Sequence, residues 1–209
     1  MQKQVEHSHY KFSSYVHKQR WISIWHQLDE VIKLNPQNVL EIGPGPGLFK
    51  AAAGAFCIDV ETLDIDTELK PDHVASVLAL PFDDNSFDVV CAFQMLEHLP
   101  FVDSLLAFSE MARVARKAVI ISLPDAAKRW PISIDIPMFG IVNFLLPRPR
   151  LRALNHIFDG EHYWEVNKAG YLLKEIENEF CKSAPVILNR TFRVPENPYH
   201  RFFIFSKNI

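Results

Sequence analysis

The chain is poor in cysteine: Cys57, Cys91 and Cys181 stand far apart and are odd in number. No C-x-x-C pair exists, so neither a zinc site nor a disulfide framework is indicated, and reduced core thiols in a cytoplasmic protein are expected. Charge of neither sign dominates. The net charge of -3 leaves no global footprint for nucleic acid. Long apolar runs are missing too. The longest, around Met138 to Leu146, is broken by Asn143 and is too short to span a bilayer. Met1 to Tyr10 is polar and His-containing, without the apolar core of a signal peptide. Glycine is scarce, with seven in 209 residues, so the place where three of them crowd together carries information.

What the chain does have is apolar residues, 48% of the total, enough for a full core in one domain of this length. Residues 1 to about 12 read as loosely attached. From Ser13 to Leu34 apolar residues recur at helical spacing (Val16, Trp21, Ile24, Trp25, Leu28, Val31, Ile32), and Asn35-Pro36 ends the helix. Strands are predicted at 38–42, 57–63, near 73–77, at 87–92 and at 118–123, with helices at 48–53 and 102–114 between them. Phe87 to Ala92 reads as buried on both faces, as parallel strands do. The alternation implies a parallel sheet covered by helices on both sides, a doubly wound α/β domain. After Leu123 the pattern breaks into a proline-punctuated block, and a helix over 166–180 and strands at 184–193 and 200–206 follow. The predicted organisation is one domain: a helical extension (1–35), a cofactor-binding half (36–123), an insertion or lid (124–160) and a C-terminal helix with strands (161–209).

The three crowded glycines lie in Val39-Leu40-Glu41-Ile42-Gly43-Pro44-Gly45-Pro46-Gly47. An apolar strand that runs into a glycine turn brings a ligand against the backbone. A dinucleotide fingerprint places its third glycine five positions after the first; here the interval is four. Glu41 stands two residues before the first glycine, where a carboxylate repels phosphate and attracts a cation. The segment resembles the first motif of class I S-adenosylmethionine-dependent methyltransferases, an acid followed by G-x-G-x-G, and matches it from Glu41 to Gly47. That cofactor is a sulfonium and ammonium with no phosphate, which suits the charge argument.

The resemblance implies a seven-stranded, mostly parallel, Rossmann-like sheet whose last strand inserts antiparallel beside the fifth. It implies S-adenosylmethionine as cofactor, with Glu41, Gly43, Pro44, Gly45 and Gly47 around its methionine end. Asp64, with Ile65 beside it, follows the second strand, where an acid accepts both ribose hydroxyls; Asp66 competes for the role. Ser76-Val77-Leu78-Ala79-Leu80-Pro81-Phe82, followed by acids and Ser86-Phe87-Asp88-Val89-Val90, is similar to the family's adenine-side loop. Ser76 stands where many members have Asp, so Val77 would contribute through its backbone. Gln94 and Met95 follow the fourth strand and are expected beside the cofactor. Glu97-His98 is common in the subgroup. His98 is the candidate general base, against a loop-orienting role for the pair. Some related O-methyltransferases resemble this segment with an acid at the position of Gln94, and use it with the Glu-His pair to hold a metal. Gln94 is neutral, so no metal is expected.

The block Ile132 to Leu151 mixes apolar residues with Arg148 and Arg150, and Arg152 follows. Packing over the sheet edge is the first reading. A lid over an apolar pocket comes second, and a membrane-surface patch over 132–152 third. His156, Asp159, Glu161 and His162 cluster without matching a metal spacing, and His162-Tyr163-Trp164 reads as packing at a helix start. Arg190, Arg193, His200 and Arg201 read as a solvated basic edge. The function expected is methyl transfer to a small-molecule acceptor, with the apolar insertion hinting at an apolar one, and with no nucleic-acid partner. A non-catalytic cofactor-binding or partner-binding protein of the same fold is the alternative, and a nicotinamide-dependent oxidoreductase stands behind it.

Overall fold

The computed structural model describes residues 10, 15–149 and 154–208. The loosely attached N-terminal segment therefore lies outside the described residues, Tyr10 apart, as do Arg150 and Arg152. Helix α1 spans Lys18–Ile32, and the first strand, β1, spans Asn38–Ile42. Helix α2 (Leu48–Gly54), β2 (Asp59–Asp64), a two-residue β3 (His73–Val74) and β4 (Phe87–Phe93) follow. Helix α3 (Phe101–Val114) runs directly into β5 (Ala115–Pro124). Next come β6 (Arg129–Ile136), β7 (Gly140–Pro147), α4 (Leu173–Ser183), β8 (Val186–Val194) and β9 (Asn197–Lys207).

Seven strands form one sheet in the order β3-β2-β1-β4-β5-β9-β8. The first five pair in parallel, and β9 enters antiparallel beside β5. This is the doubly wound arrangement expected. Its central strands alternate between two cores, because successive side chains leave opposite faces. Leu40, Ile42, Val90 and Ala92 pack toward Phe108, Met111, Ile176 and Phe180 of α3 and α4. Val39, Val89 and Cys91 pack toward Val31, Phe49 and Ala53 of α1 and α2. Glu41 shares the second face by the same alternation, between Thr62 and Cys91 in register.

Four expectations need correction. The helix predicted from 166 begins at Leu173. Val166 instead pairs with Asp125, Lys168 bridges Tyr171, and Gly170 turns the chain at φ +81°. The insertion after β5 does not pack over the sheet edge: it is an antiparallel hairpin in a sheet of its own, with nearly every residue half-buried or exposed. Trp130, Ile132 and Ile134 face Leu146, Phe144 and Val142 across the two strands, so one face of the hairpin is apolar and open. Alternation within a proline-containing block had masked these two strands. Finally, the solvated basic edge is largely buried. Arg193, His200 and Arg201 are each under 10% exposed; His200 and Arg201 lie on the interior strand β9, and Arg193, on edge strand β8, pairs with the buried Asp125. Within α1, Trp21 and Trp25 are exposed although their spacing suggested the buried face.

The reason two arginines can be buried is Asp125, at the end of β5. Its Oδ2 accepts from Arg201 Nε at 2.7 Å, Arg193 pairs with Oδ1, and Asn167 Nδ2 donates to Oδ1 at 2.8 Å. Asp125→Ala would leave two guanidiniums in the interior without their counter-charge. We expect a loss of about 3–5 kcal/mol in denaturant unfolding, and a loss below 1 kcal/mol would show that the cluster is solvated after all.

Candidate active site

A cavity of about 1000 Å³ opens at the C-terminal edge of the parallel strands, where doubly wound sheets place their ligands. Its floor comes from the turns after β1, β2 and β4: Gly43 and Gly45, then Asp64, Ile65 and Asp66, then Gln94, Met95, Glu97 and His98. The walls come from Tyr10, Tyr15 and Arg20 on one side and from Glu161, His162, Tyr163, Tyr199 and His200 on the other.

The glycine turn is shaped by left-handed backbone. Gly43, Gly45 and Gly47 have φ of +68°, +54° and +72°, a region that side chains rarely adopt. A Cβ on Gly43 would lie 2.5 Å from Met95 Cγ, and one on Gly45 would lie 3.2 Å from the Tyr10 ring. The turn is thus open because it lacks side chains, and two tyrosines close over it. Gln94 also holds a left-handed φ of +54°. Its backbone N–H donates to Ser122 O at 2.9 Å and its side-chain amide to Ser122 Oγ at 3.2 Å. A non-glycine residue keeps this conformation only where its surroundings hold it, as these two bonds do.

Of the residues expected at the site, Gly43, Gly45, Asp64, Ile65, Gln94, Met95 and His98 line the cavity. Pro44, Gly47, Ser76 and Val77 are not in its wall. Leu78 takes the place of Ser76 and Val77; Ser76 Oγ accepts from Leu78 N at 3.2 Å, and Val77 is buried in the core. Glu41 lies beneath the turn rather than in the wall. It is 4% exposed, and its Oε2 has no hydrogen-bond partner among the described residues. Burial pushes its carboxyl up to about 8, against the opposing charge of Lys50. Burial likewise raises Asp64, whose Oδ1 accepts from Asp66 N at 2.9 Å.

At the far end of the cavity the acids and imidazoles converge. Glu97 is fully buried, and neither of its oxygens has a hydrogen-bond partner among the described residues. Burial pushes its carboxyl to about 7. His98 Nδ1 meets Glu161 O at 3.1 Å, and His162 Nδ1 meets Glu165 Oε1 at 3.2 Å. Burial pulls the His162 imidazolium down, but the bond to Glu165 and the nearby Glu97 and Asp159 charges leave it raised overall. His200 is held neutral, down to about 3, by burial and the Arg20 charge. Sequence reasoning missed Tyr10, Tyr15, Arg20 and Tyr199, which arrive from distant segments. It took His162 for packing and His200 for a surface residue. The one sequence signal was Glu161-His162, set aside for want of a metal spacing.

The sheet order and its antiparallel β9 are those of the Rossmann-like methyltransferase fold. Residues 40–123 match the family profile described as a methyltransferase domain. Nearly the whole chain superposes on solved structures. A Pyrococcus horikoshii protein matches at a TM-score of 0.62 and 14% identity, over 98% of this chain and 100% of that one. An S-adenosylmethionine-dependent methyltransferase from Clostridium acetobutylicum matches at 0.61 and 8%, over 96% of each chain. The 1,6-didemethyltoxoflavin-N1-methyltransferase of Burkholderia thailandensis, solved with its substrate and S-adenosylhomocysteine, matches at 0.61 and 13%, over 95% and 86%. No curated protein matches the sequence.

Gly43→Ala and Gly47→Ala separate the two constraints on the turn. Each forces an L side chain into left-handed backbone, at about 1–2 kcal/mol, but only the first drives a Cβ into Met95. Denaturant unfolding should show Gly43→Ala as the less stable variant; equal losses would mean that Met95 moves aside freely.

Proposed function

We propose that the chain transfers a methyl group from S-adenosylmethionine to a small-molecule acceptor bound in the same cavity. The observation that carries this reading is the continuity of the cavity. It has a side-chain-free turn and an acid at one end, and imidazoles, phenols and a buried carboxylate at the other. A volume of about 1000 Å³ lies at the upper end of the range for ligand sites, with room for two molecules side by side.

The residues present fit the cofactor. The open backbone of Gly43 and Gly45 admits its methionine end, and Glu41 beneath the turn supplies negative charge in a dry setting. Asp64 keeps a carboxylate oxygen for the ribose hydroxyls, with Ile65 beside it. Gln94 and Met95 flank the cofactor from the end of β4. Ser76 and Val77 support Leu78, which faces the adenine side. The cofactor, when bound, supplies an electrophilic methyl on a good leaving group. The chain then has mainly to hold the acceptor in line and keep water out. His98 is the proposed base. A carbonyl can only accept, so its Nδ1 carries the proton and Nε2 keeps the lone pair. An acceptor proton would pass to Nε2. The apolar surroundings of Phe93, Leu99 and Phe158 in the wall favour an acceptor with apolar bulk.

Three measurements test this. Calorimetric titration should show binding of S-adenosylmethionine and S-adenosylhomocysteine, and none of NADH or NADPH. Asp64→Ala should weaken the adenosyl compounds severely without unfolding the chain; unchanged affinity would move the ribose to Asp66. His98→Ala should lower turnover by about 10²-fold or more on an acceptor that must lose a proton, and full activity would remove it from the chemistry.

Glu41 gives a pH dependence. In the ligand-free protein its carboxyl holds a proton up to about pH 8, above the ordinary value, so its contribution to stability falls as pH rises from about 4.5 to 8. A cation above it favours the ionised form. Cofactor binding should then release a proton below pH 8, and affinity should rise by up to about tenfold per pH unit toward 8 and level off beyond it. A flat profile, with no proton release between buffers of different ionisation enthalpy, would uncouple Glu41 from the ligand.

A further inference from the structure

Outside the cavity already described, positive charge gathers at the root of the β6–β7 hairpin. Lys128 stands directly before β6, Arg129 is its first residue, and Arg148 follows the last residue of β7. Strand pairing sets Arg129 opposite Pro147, and Arg148 N donates to Lys128 O at 3.2 Å. The fold thus brings together three cations that the whole hairpin separates in sequence. None of the three side chains has an ion pair or a side-chain hydrogen bond among the described residues. They line a second cavity, of about 500 Å³, with Trp130, Lys168 and Tyr199. The two acids in its wall are committed elsewhere. Asp125 lies between Arg193 and Arg201, and Glu165 accepts from Tyr199 Oη at 2.7 Å and pairs with His162 and Lys168. Like charges in one concavity repel, and an anion set among them relieves that repulsion. Guanidinium forks suit the paired oxygens of a phosphate group.

The root opens in two directions. Inward, Gln19 and Tyr199 line both cavities. Glu165, in the wall of the second, holds His162, in the wall of the first, with Oε1 meeting Nδ1 at 3.2 Å. A ligand seated on the cations is therefore next to the acceptor end of the site. Outward, Trp130 heads the open apolar row of the hairpin, with Ile132 and Ile134 along β6 and Leu146, Phe144 and Val142 opposite on β7. The other face carries Ser133, Asp135 and Asn143, and Ser133 Oγ donates to Asn143 Oδ1 at 2.5 Å. A bare two-stranded hairpin is marginal in water, so its apolar face calls for a cover. A bilayer is a poor one. The strands β6 and β7 pair only with each other, and their outer edges would leave backbone groups unsatisfied in hydrocarbon. One apolar chain laid along the row leaves both edges in water.

We propose that the methyl acceptor is a phosphate-bearing amphiphile, its phosphate held between Lys128, Arg129 and Arg148 and its apolar chain laid along the row of Trp130, Ile132, Ile134 and Phe144. That the phosphate belongs to the acceptor rests on the transfer reading; that these cations hold a phosphate does not. The part of the molecule that receives the methyl group extends past Tyr199 toward His98. The phosphate takes no part in the bond changes: the methyl carbon leaves sulfur for the acceptor heteroatom, whose proton passes to His98. Its contribution is anchorage, since binding energy gained away from the reacting atom fixes orientation at that atom. Arg148 stood in a block whose apolar content suggested packing, and Lys128 and Arg129 join it only through the hairpin.

The test titrates the full-length protein by calorimetry with ethyl, butyl, hexyl and octyl phosphate, and with octanol as the uncharged control. Affinity should rise with chain length, by up to about fourfold for each methylene that reaches the apolar row, and octanol should not bind. The double variant Arg129→Gln, Arg148→Gln should weaken every phosphate by about tenfold or more. The double variant Ile134→Ser, Phe144→Ser should leave ethyl phosphate unchanged and flatten the chain-length series. Circular dichroism near wild type separates either loss from unfolding. Lys182→Gln, in an exposed pair on α4, should change nothing. Octyl phosphate and S-adenosylhomocysteine should bind together. No binding of octyl phosphate, binding that both double variants retain in full, or competition with S-adenosylhomocysteine would overturn the assignment. Capture by vesicles of phosphatidic acid, with no binding of the free alkyl phosphates, would overturn it in favour of a membrane surface. Adenosyl binding without alkyl phosphate binding would sink the amphiphile and leave the transfer reading standing. Alkyl phosphate binding without adenosyl binding would do the reverse.

Discussion

A carboxylate is buried in the sheet one residue short of a turn that no ordinary side chain could occupy, and the functional end of the molecule is arranged around that pairing. Glu41 belongs to β1, the strand at which the chain reverses its direction across the sheet. Its position between Thr62 and Cys91 follows from strand alternation, so it cannot swing to solvent. The turn beyond it stays open because Gly43 and Gly45 have left-handed backbone and no Cβ. An unpartnered carboxyl below, which a nearby cation would ionise, and bare backbone above favour a cation that presents little bulk. Burial also raises Cys91, its neighbour in β4, and the Glu41 charge adds to that. The chain thus tolerates an energetically unfavourable carboxylate at the one place where a cationic ligand relieves it.

Much of this was legible in the sequence. The interval of four between Gly43 and Gly47 argued against a dinucleotide turn, and the acid at Glu41 pointed to a cationic ligand. Apolar runs and turn signals placed β1, β4, β5 and α3, and the family resemblance implied the antiparallel last strand. What escaped was whatever depended on distant partners. Arg193 and Arg201 look like surface residues until Asp125 is known to sit between them. Val166 looks helical until it pairs with Asp125. The tyrosines over the glycine turn come from a segment with no regular pattern. The hairpin β6–β7 was hidden for the opposite reason: its apolar content was read as burial, whereas its two strands pair only with each other.

The acceptor end is built on a loop, which raises the question of how it is kept in place. Loop-borne sites lose precision unless their supports are fixed. Here the loop is pinned at both ends. At one, Val166 N donates to Pro124 O at 3.0 Å, and Asn167 reaches Asp125. At the other, Asp159 gathers two backbone N–H groups. Between them, Trp164 is fully buried and donates to Leu99 O at 3.1 Å and Ser104 Oγ at 3.0 Å, and Tyr163 N donates to Glu97 O at 2.9 Å. The loop is therefore bound to the very turn that carries Glu97 and His98. His162 cannot shift relative to those residues without breaking buried hydrogen bonds, each costing about 1–3 kcal/mol when a polar group is left unsatisfied. A side-chain cluster that spans two remote segments, held by a buried indole and a shared backbone bond, is preorganised for a ligand rather than assembled by one.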